Sequence, residues 1–273
     1  MSWVGLHVEC SEEIRDMLLA ECSTLPIRTL TFEERDTGLS AFVSSDEWSS
    51  VPFLAILNKY DVTTWREEEI PTVNWNEEWE KNYDPIAVND QLIVRAPFHE
   101  KTAHPLEIII QPQMSFGTGH HATTHLVLAY QLTLDHQDKL VMDVGCGTGV
   151  LAIMAKKRGA SSVVAFDIDD WCVQNSIENF ALNQYPELTA EKKQLHEIKE
   201  EPYDIILANI TRGVHEELMP EYAKRMKPSG QLIMSGFFQE DVNALATRAE
   251  SFGLIKLESA ERQGWARLVC YKQ

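Results

Sequence analysis

Apolar and polar positions first alternate. From Trp3 to Cys10, Val4, Leu6 and Val8 fall on one side and Trp3, Gly5 and His7 on the other, the two-residue period of a strand. Ser11 then precedes Glu12 and Glu13, with Ile14, Met17 and Leu18 at helical spacing: a cap, an acidic first turn and an apolar face. Residues 27–34 and 39–43 read as two strands joined near Asp36-Thr37-Gly38 by a hairpin turn. Ser50-Val51-Pro52 opens a second helix containing Phe53, Leu54, Ile56 and Leu57, with the proline in its tolerated first turn. Residues 62–65 predict a fourth strand, which Glu67-Glu68-Glu69-Ile70-Pro71 then breaks. Strand-helix-strand-strand-helix-strand is the order of a small ferredoxin-like α+β domain, expected over residues 1–66. It contains no obvious catalytic cluster and reads as a substrate-recognition module.

Residues 67–84 are polar and place Trp75 and Trp79 four apart, on one face of a short connector helix that docks its indoles on a neighbouring domain. From residue 85 the pattern changes. Strand-like runs at 91–96 and 106–111 lead to the loop Phe116-Gly117-Thr118-Gly119-His120-His121, and Thr123 and Thr124 begin a helix through Leu126, Val127 and Leu128. Val141-Met142-Asp143-Val144 runs into Gly145-Cys146-Gly147-Thr148-Gly149 and on into the apolar segment 150–155: a buried strand, a tight turn and a helix start. Further strands are expected at 162–166, 204–208 and 231–235, the last after a turn at 227–230. A helix at 241–252 and a strand pair at 254–257 and 266–271 complete the pattern. Strands alternating with helices predict a Rossmann-like α/β catalytic domain over residues 85–273.

The glycine turn carries the chemistry. Glycine at 145, 147 and 149 removes each Cβ that would hold a ligand off the backbone, and the first helical N–H groups point toward it. A dinucleotide fingerprint, Gly-x-Gly-x-x-Gly, requires glycine where Val150 stands, and no P-loop lysine follows. Asp143 precedes the turn, where an acid repels pyrophosphate but can hold an ammonium group. Asp167 ends the next strand, where a carboxylate reads ribose hydroxyls. An acid for an ammonium, bare backbone and an acid for a ribose describe S-adenosylmethionine better than a nicotinamide cofactor. His120, His121 and His125 have no carboxylate at ligand spacing, so no metal is expected.

Composition narrows the partners. Forty-two acidic against 24 basic residues give a formal charge of −18, which repels free nucleic acid and anionic membranes and attracts a basic partner. No apolar run approaches membrane-spanning length, and the first residues lack the regions of a signal peptide. Five scattered cysteines without a Cys-x-x-Cys pair argue for a reducing compartment, so the chain is expected in the cytoplasm.

Four segments in order then carry a resemblance: Phe-Gly-Thr-Gly-His-His-x-Thr-Thr at 116–124, Asp-x-Gly-Cys-Gly-Thr-Gly at 143–149, Asp-Ile-Asp at 167–169 and Ala-Asn-Ile at 208–210. Together they resemble the ribosomal protein L-eleven methyltransferase family (PrmA), and the leading domain and tryptophan connector extend the likeness over essentially the whole chain. The resemblance implies S-adenosylmethionine-dependent N-methylation of lysine and α-amino groups of a large-subunit ribosomal protein. It assigns cofactor contacts to Thr124, Gly145, Asp167 and Asn209, and the loop and turn add Phe116, Gly147 and Asp143 to the expected set. Asn209 ends a strand and is also expected to orient the acceptor amine. Where many amino methyltransferases place Asn-Pro-Pro-aromatic, this chain has Asn209-Ile210-Thr211-Arg212, which argues against a nucleobase acceptor. The expected partner is a basic ribosomal protein, with no direct nucleic-acid or membrane contact, and the chain is read as a monomer. Lysines of another protein, or a small-molecule amine, remain the alternative acceptors, and His120 and His121 the open possibilities for a base.

Overall fold

A computed structural model describes residues 2–71, 80, 82–113 and 115–273, so Trp75 and Trp79 of the expected connector lie outside the described residues. The chain divides into two compact units, Met1–Asn82 and Tyr83–Gln273. The first contains β1 (Trp3–Glu9), α1 (Glu12–Cys22), β2 (Thr31–Arg35), β3 (Gly38–Ser44), α2 (Ser50–Lys59) and β4 (Trp65–Ile70). The strands form an antiparallel sheet in the order β2-β3-β1-β4, the ferredoxin-like arrangement expected from the pattern. Its core joins Leu6 and Val8 of β1 and Leu39, Ala41 and Val43 of β3 to Leu18, Phe53 and Leu57 of the helices.

Two sequence expectations fail here. The fourth strand is not 62–65 but Trp65–Ile70, so the acidic run expected to break it is the strand itself, and the expected domain end at residue 66 falls inside it. Among the described residues β4 is an edge strand that pairs only with β1, from Trp3↔Ile70 to Val8↔Trp65, and its side chains are almost all exposed. Charge is tolerated at such an edge because it faces water and discourages further pairing. Hydropathy alone therefore mistakes it for a loop.

The second unit opens with a three-stranded sheet of β5 (Ile86–Val88), β6 (Leu92–Arg95) and β7 (Leu106–Ile109). After α3 (Ala122–Gln131) come β8 (Leu140–Val144), α4 (Val150–Lys157), β9 (Ser162–Asp167), α5 (Asp170–Leu182), β10 (Ala190–Lys192), β11 (Tyr203–Asn209) and α6 (Arg212–Arg225). β12 (Met226–Phe238), α7 (Val242–Glu250), β13 (Leu254–Arg262) and β14 (Trp265–Lys272) finish the chain. The large sheet has the order β10-β9-β8-β11-β12-β14-β13. Neighbours are parallel from β10 to β12, and β14 enters antiparallel between β12 and β13. The expected turn at 227–230 is absorbed into β12: the ladder to β11 skips from Met226 to Gln231, with Ser229 at φ 61°.

Successive residues of the central strands serve opposite faces. Val141, Ile205 and Leu207 pack with α3, α4 and α5, whereas Met142, Val144, Ile206 and Ala208 pack with Met219 and Tyr222 of α6 and Leu245 of α7. Strands buried on both sides read as continuous apolar runs, which is why this sheet was legible. The strand order reverses between β8 and β11, and their carboxyl ends open a crevice there.

Candidate active site

The turn after β8 supplies the floor of that crevice. Gly145, Gly147 and Gly149 have φ of 69°, 55° and 76°, backbone that L side chains rarely adopt. A Cβ on Gly147 would lie 2.3 Å from the Phe116 carbonyl oxygen, so the bare backbone lets the Phe116 loop close on the turn. The loop is fastened there by Thr148, whose N–H donates to Phe116 O (3.0 Å) and whose hydroxyl donates to Gly117 O (2.7 Å). Asp167, at the tip of β9, accepts from the Gly147 N–H (3.0 Å) and, through its other oxygen, from the Asp169 N–H (3.1 Å). Its carboxylate is thus fixed at the lip of the turn.

Two cavities meet at Asp167 and Ile210. One, of about 180 Å³, is walled by Phe116, Gly145, Gly147, Cys146 and Asn209. The other, of about 590 Å³, lies along Val144, Phe166, Ile168, Leu195 and Val214. A cradle of bare backbone, an acid at the junction and an apolar slot beyond it fit an amino-acid chain, a ribose and an adenine in sequence. The residues present therefore fit S-adenosylmethionine.

A third cavity, of about 190 Å³, lies on the other side of Asn209. His121, Thr123, Thr211, Gly236 and Trp265 line it, and Phe116 is shared with the first cavity. Its rings are close: Phe116 to His121 5.1 Å, His121 to Trp265 4.6 Å, and Trp265 to Phe238 4.3 Å between centroids. Asn209 stands between the two spaces, donating from Nδ2 to the Thr124 hydroxyl (3.3 Å), while its buried Oδ1 has no hydrogen-bond partner among the described residues.

Residues 25–273 match the family described as Ribosomal protein L11 methyltransferase (PrmA). The chain belongs to this family. A ribosomal protein L11 methyltransferase of Porphyromonas gingivalis is 43% identical over 266 residues, covering 94% of this chain and 90% of the relative. One from Phocaeicola vulgatus is 37% identical over 264 residues, covering 94% and 93%. Among solved structures, a ribosomal protein L11 methylase from Lactobacillus delbrueckii subsp. bulgaricus matches with a TM-score of 0.64 at 27% identity, covering 70% of this chain and all of that one.

The expected residues fall into two groups. Phe116, Gly145, Gly147, Asp167 and Asn209 wall the cavities. Thr124 is fully buried in the first turn of α3 and reaches the crevice through Asn209. Asp143 departs from expectation. It is fully buried, lies outside the cavity walls, and its Oδ2 accepts from the Ala152 N–H of α4 (3.0 Å). It shares strand parity with Val141, whose side chain packs toward α4, so Oδ2 turns to that helix, while its buried Oδ1 has no hydrogen-bond partner among the described residues. Burial pushes its carboxyl up to about 7, the Ala152 hydrogen bond opposing and the Asp167 charge reinforcing the rise.

The histidines are also placed. His121 Nδ1 accepts from the Thr123 N–H (3.3 Å), which leaves the ring proton of the neutral form on Nε2 and makes Nδ1 no free base. Burial lowers its pKa. His120 is held at both nitrogens, Nδ1 to the Thr118 hydroxyl and Nε2 to the Asp84 carbonyl, each at 3.1 Å. Among the described residues no group of three His, Cys, Asp or Glu could hold a metal. Sequence reasoning missed Trp265, Gly236 and Thr211. Trp265 enters only because β14 returns antiparallel beside β12 and sets it opposite Phe238, and no local pattern signals that pairing.

Proposed function

We propose that this chain methylates amino groups of ribosomal protein L11, at lysine and α-amino nitrogens, from S-adenosylmethionine held over the glycine turn. The observation that carries the reading is Asn209, one side chain forming a wall of both the cofactor-shaped cavity and the aromatic pocket. The cofactor, when bound, supplies an electrophilic methyl group. Gly145, Gly147 and Phe116 would hold its amino-acid portion, Asp167 its ribose and the Ile168–Leu195 slot its adenine. The acceptor nitrogen would enter between Phe116, His121 and Trp265, whose ring faces attract an ammonium and its methylated forms. Asn209 Oδ1, an acceptor without a partner, is suited to receive an amine N–H and aim the lone pair across the crevice. Such alignment can contribute roughly 7–11 kcal/mol to the barrier reduction.

The nitrogen must be neutral to react, and neither His120 nor His121 is set to take its proton. The proton therefore leaves to water, and the ammonium that the ring faces attract gives it up before methyl transfer. The enzyme acts as a monomer in the cytoplasm on a basic protein, without direct nucleic-acid or membrane contact, a reading supported by its charge of −18. Methyl-tritium transfer from S-adenosylmethionine into purified ribosomal protein L11, with the labelled sites mapped by mass spectrometry, tests it. The expected result is label on lysine and α-amino nitrogens, with a rate that rises with pH from 6 to 8. Label confined to free amines or to other proteins would overturn the substrate assignment.

A further inference from the structure

The sheet face of the first unit opposite α1 and α2 carries a cluster that neither the cofactor cavities nor the aromatic pocket uses. Leu6 and Val8 of β1 enter the core, so His7 between them emerges on the opposite face. The register sets His7 across from Ser40 on β3 and Arg66 on β4, and Arg35 ends β2 across from Gly38. With Thr37 and Thr64 these side chains line an open cleft of about 290 Å³. Ser40 Oγ lies 2.9 Å from His7 Nδ1 and steadies the ring.

The charge distribution makes this cluster unusual. Residues 1–82 hold 6 Lys and Arg against 17 Asp and Glu, yet two of those cations and a histidine stand around one cleft, against Glu9 as the acidic residue of its lining. A carboxylate already occupies its rim: Glu68 Oε2 is 3.2 Å from His7 Nε2 and 3.5 Å from Arg66 Nη2. Glu68 is half-exposed, so it can leave, and Arg35 is only loosely engaged by Glu33 at 3.7 Å.

We propose that this cleft binds one carboxylate of the protein substrate, an Asp or Glu side chain or a chain terminus, in exchange for Glu68. The cleft has room for a side chain that carries one carboxylate. A nucleic-acid backbone would also bring a dense row of phosphates against a strongly acidic unit, whereas an acidic residue of a basic protein brings a single charge. Arg35 and Arg66 would supply charge-assisted donors, and the threonine and serine hydroxyls would complete the anion's hydrogen bonds. The assignment of that carboxylate to a protein substrate rests on the function proposed above, but the site can be tested without it.

The test is an NMR titration of the His7 ring signal in the full chain, with N-acetylglutamate amide, purified ribosomal protein L11 and a structured RNA oligonucleotide as separate probes. The carboxylate probe and the protein should both move the His7 signal to saturation. Arg35→Ser with Arg66→Ser should weaken each by about tenfold, the sum of two partly exposed ion pairs. Glu68→Gln should tighten both, a gain that a misfolded variant cannot produce. No movement with the carboxylate probe, or binding unchanged in all variants, would overturn the site. Movement with the small carboxylate but not with the protein would refute the proposed occupant, as would saturation by RNA at lower concentration than by the protein. Absence of methyl transfer to a protein that still binds here would instead count against the proposed reaction.

Discussion

Asp143 shows how a residue's place in a motif leaves the partners of its side chain open. The sequence puts an acid before the glycine turn, but only strand parity determines whether it faces ligand or helix, and here it caps α4 through Ala152. Its folded pKa of about 7 lies above the unfolded value, so the folded state holds the extra proton between about pH 4 and 7. The stability that this contributes is full below pH 4 and lost as pH rises through 7, on the order of 3–4 kcal/mol. Asp143→Asn keeps the shape without the titration. Urea midpoints measured from pH 4 to 8 should therefore fall less with rising pH in the variant than in the parent; parallel curves would refute the assignment. Asp167 was legible because its strand-tip position follows from local pattern alone, and Asn209 because it ends an unmistakable buried strand.

At the scale of elements, the reliable signals were those that repeat within one segment. The β8 strand, the glycine turn and α4 follow from apolar runs and left-handed backbone, both written locally. β4 failed because an exposed edge strand has no apolar face to display, and Trp265 because β14's neighbour is fixed only when the sheet assembles. One element contact gives a pH signature of opposite sign to Asp143. His215 of α6 is fully buried, with Nε2 2.9 Å from the Ser235 carbonyl oxygen of β12, and burial lowers its pKa to about 4. The unfolded state then binds the extra proton between about pH 4 and 6.5, so this group's stability is present above 6.5 and lost as pH falls toward 4. His215→Gln should flatten that acid limb while leaving the neutral midpoint less affected. An unchanged acid limb would mean that His215 titrates normally.

Across the whole molecule, the fold class and both kinds of unit were legible from the order of strands and helices, while the boundary between them was not, because β4 carries its charge to Ile70. Net charge acts at this scale too. With the basic substrate proposed above, a chain at −18 should associate more weakly as salt rises, since exposed charges are screened beyond roughly 10 Å at 0.1 M. The KM for ribosomal protein L11 should therefore increase several-fold between 20 and 200 mM salt, with the affinity for S-adenosylmethionine nearly constant. A salt-independent KM would remove electrostatics from recognition.

The central claim is that Asn209 separates a cofactor cavity from an acceptor pocket and acts across both. It is tested most directly by measuring, on Asn209→Ala, S-adenosylmethionine affinity by calorimetry and single-turnover methylation of ribosomal protein L11. Asp167→Ala serves as the contrast, expected to lose about 1.5–3 kcal/mol of cofactor affinity through its charge-assisted hydrogen bonds. Asn209→Ala should bind the cofactor within a few-fold of the parent and lose about a hundredfold in turnover, an interaction made chiefly in the transition state. Equal losses in affinity and turnover would make Asn209 a cofactor contact only and contradict the account.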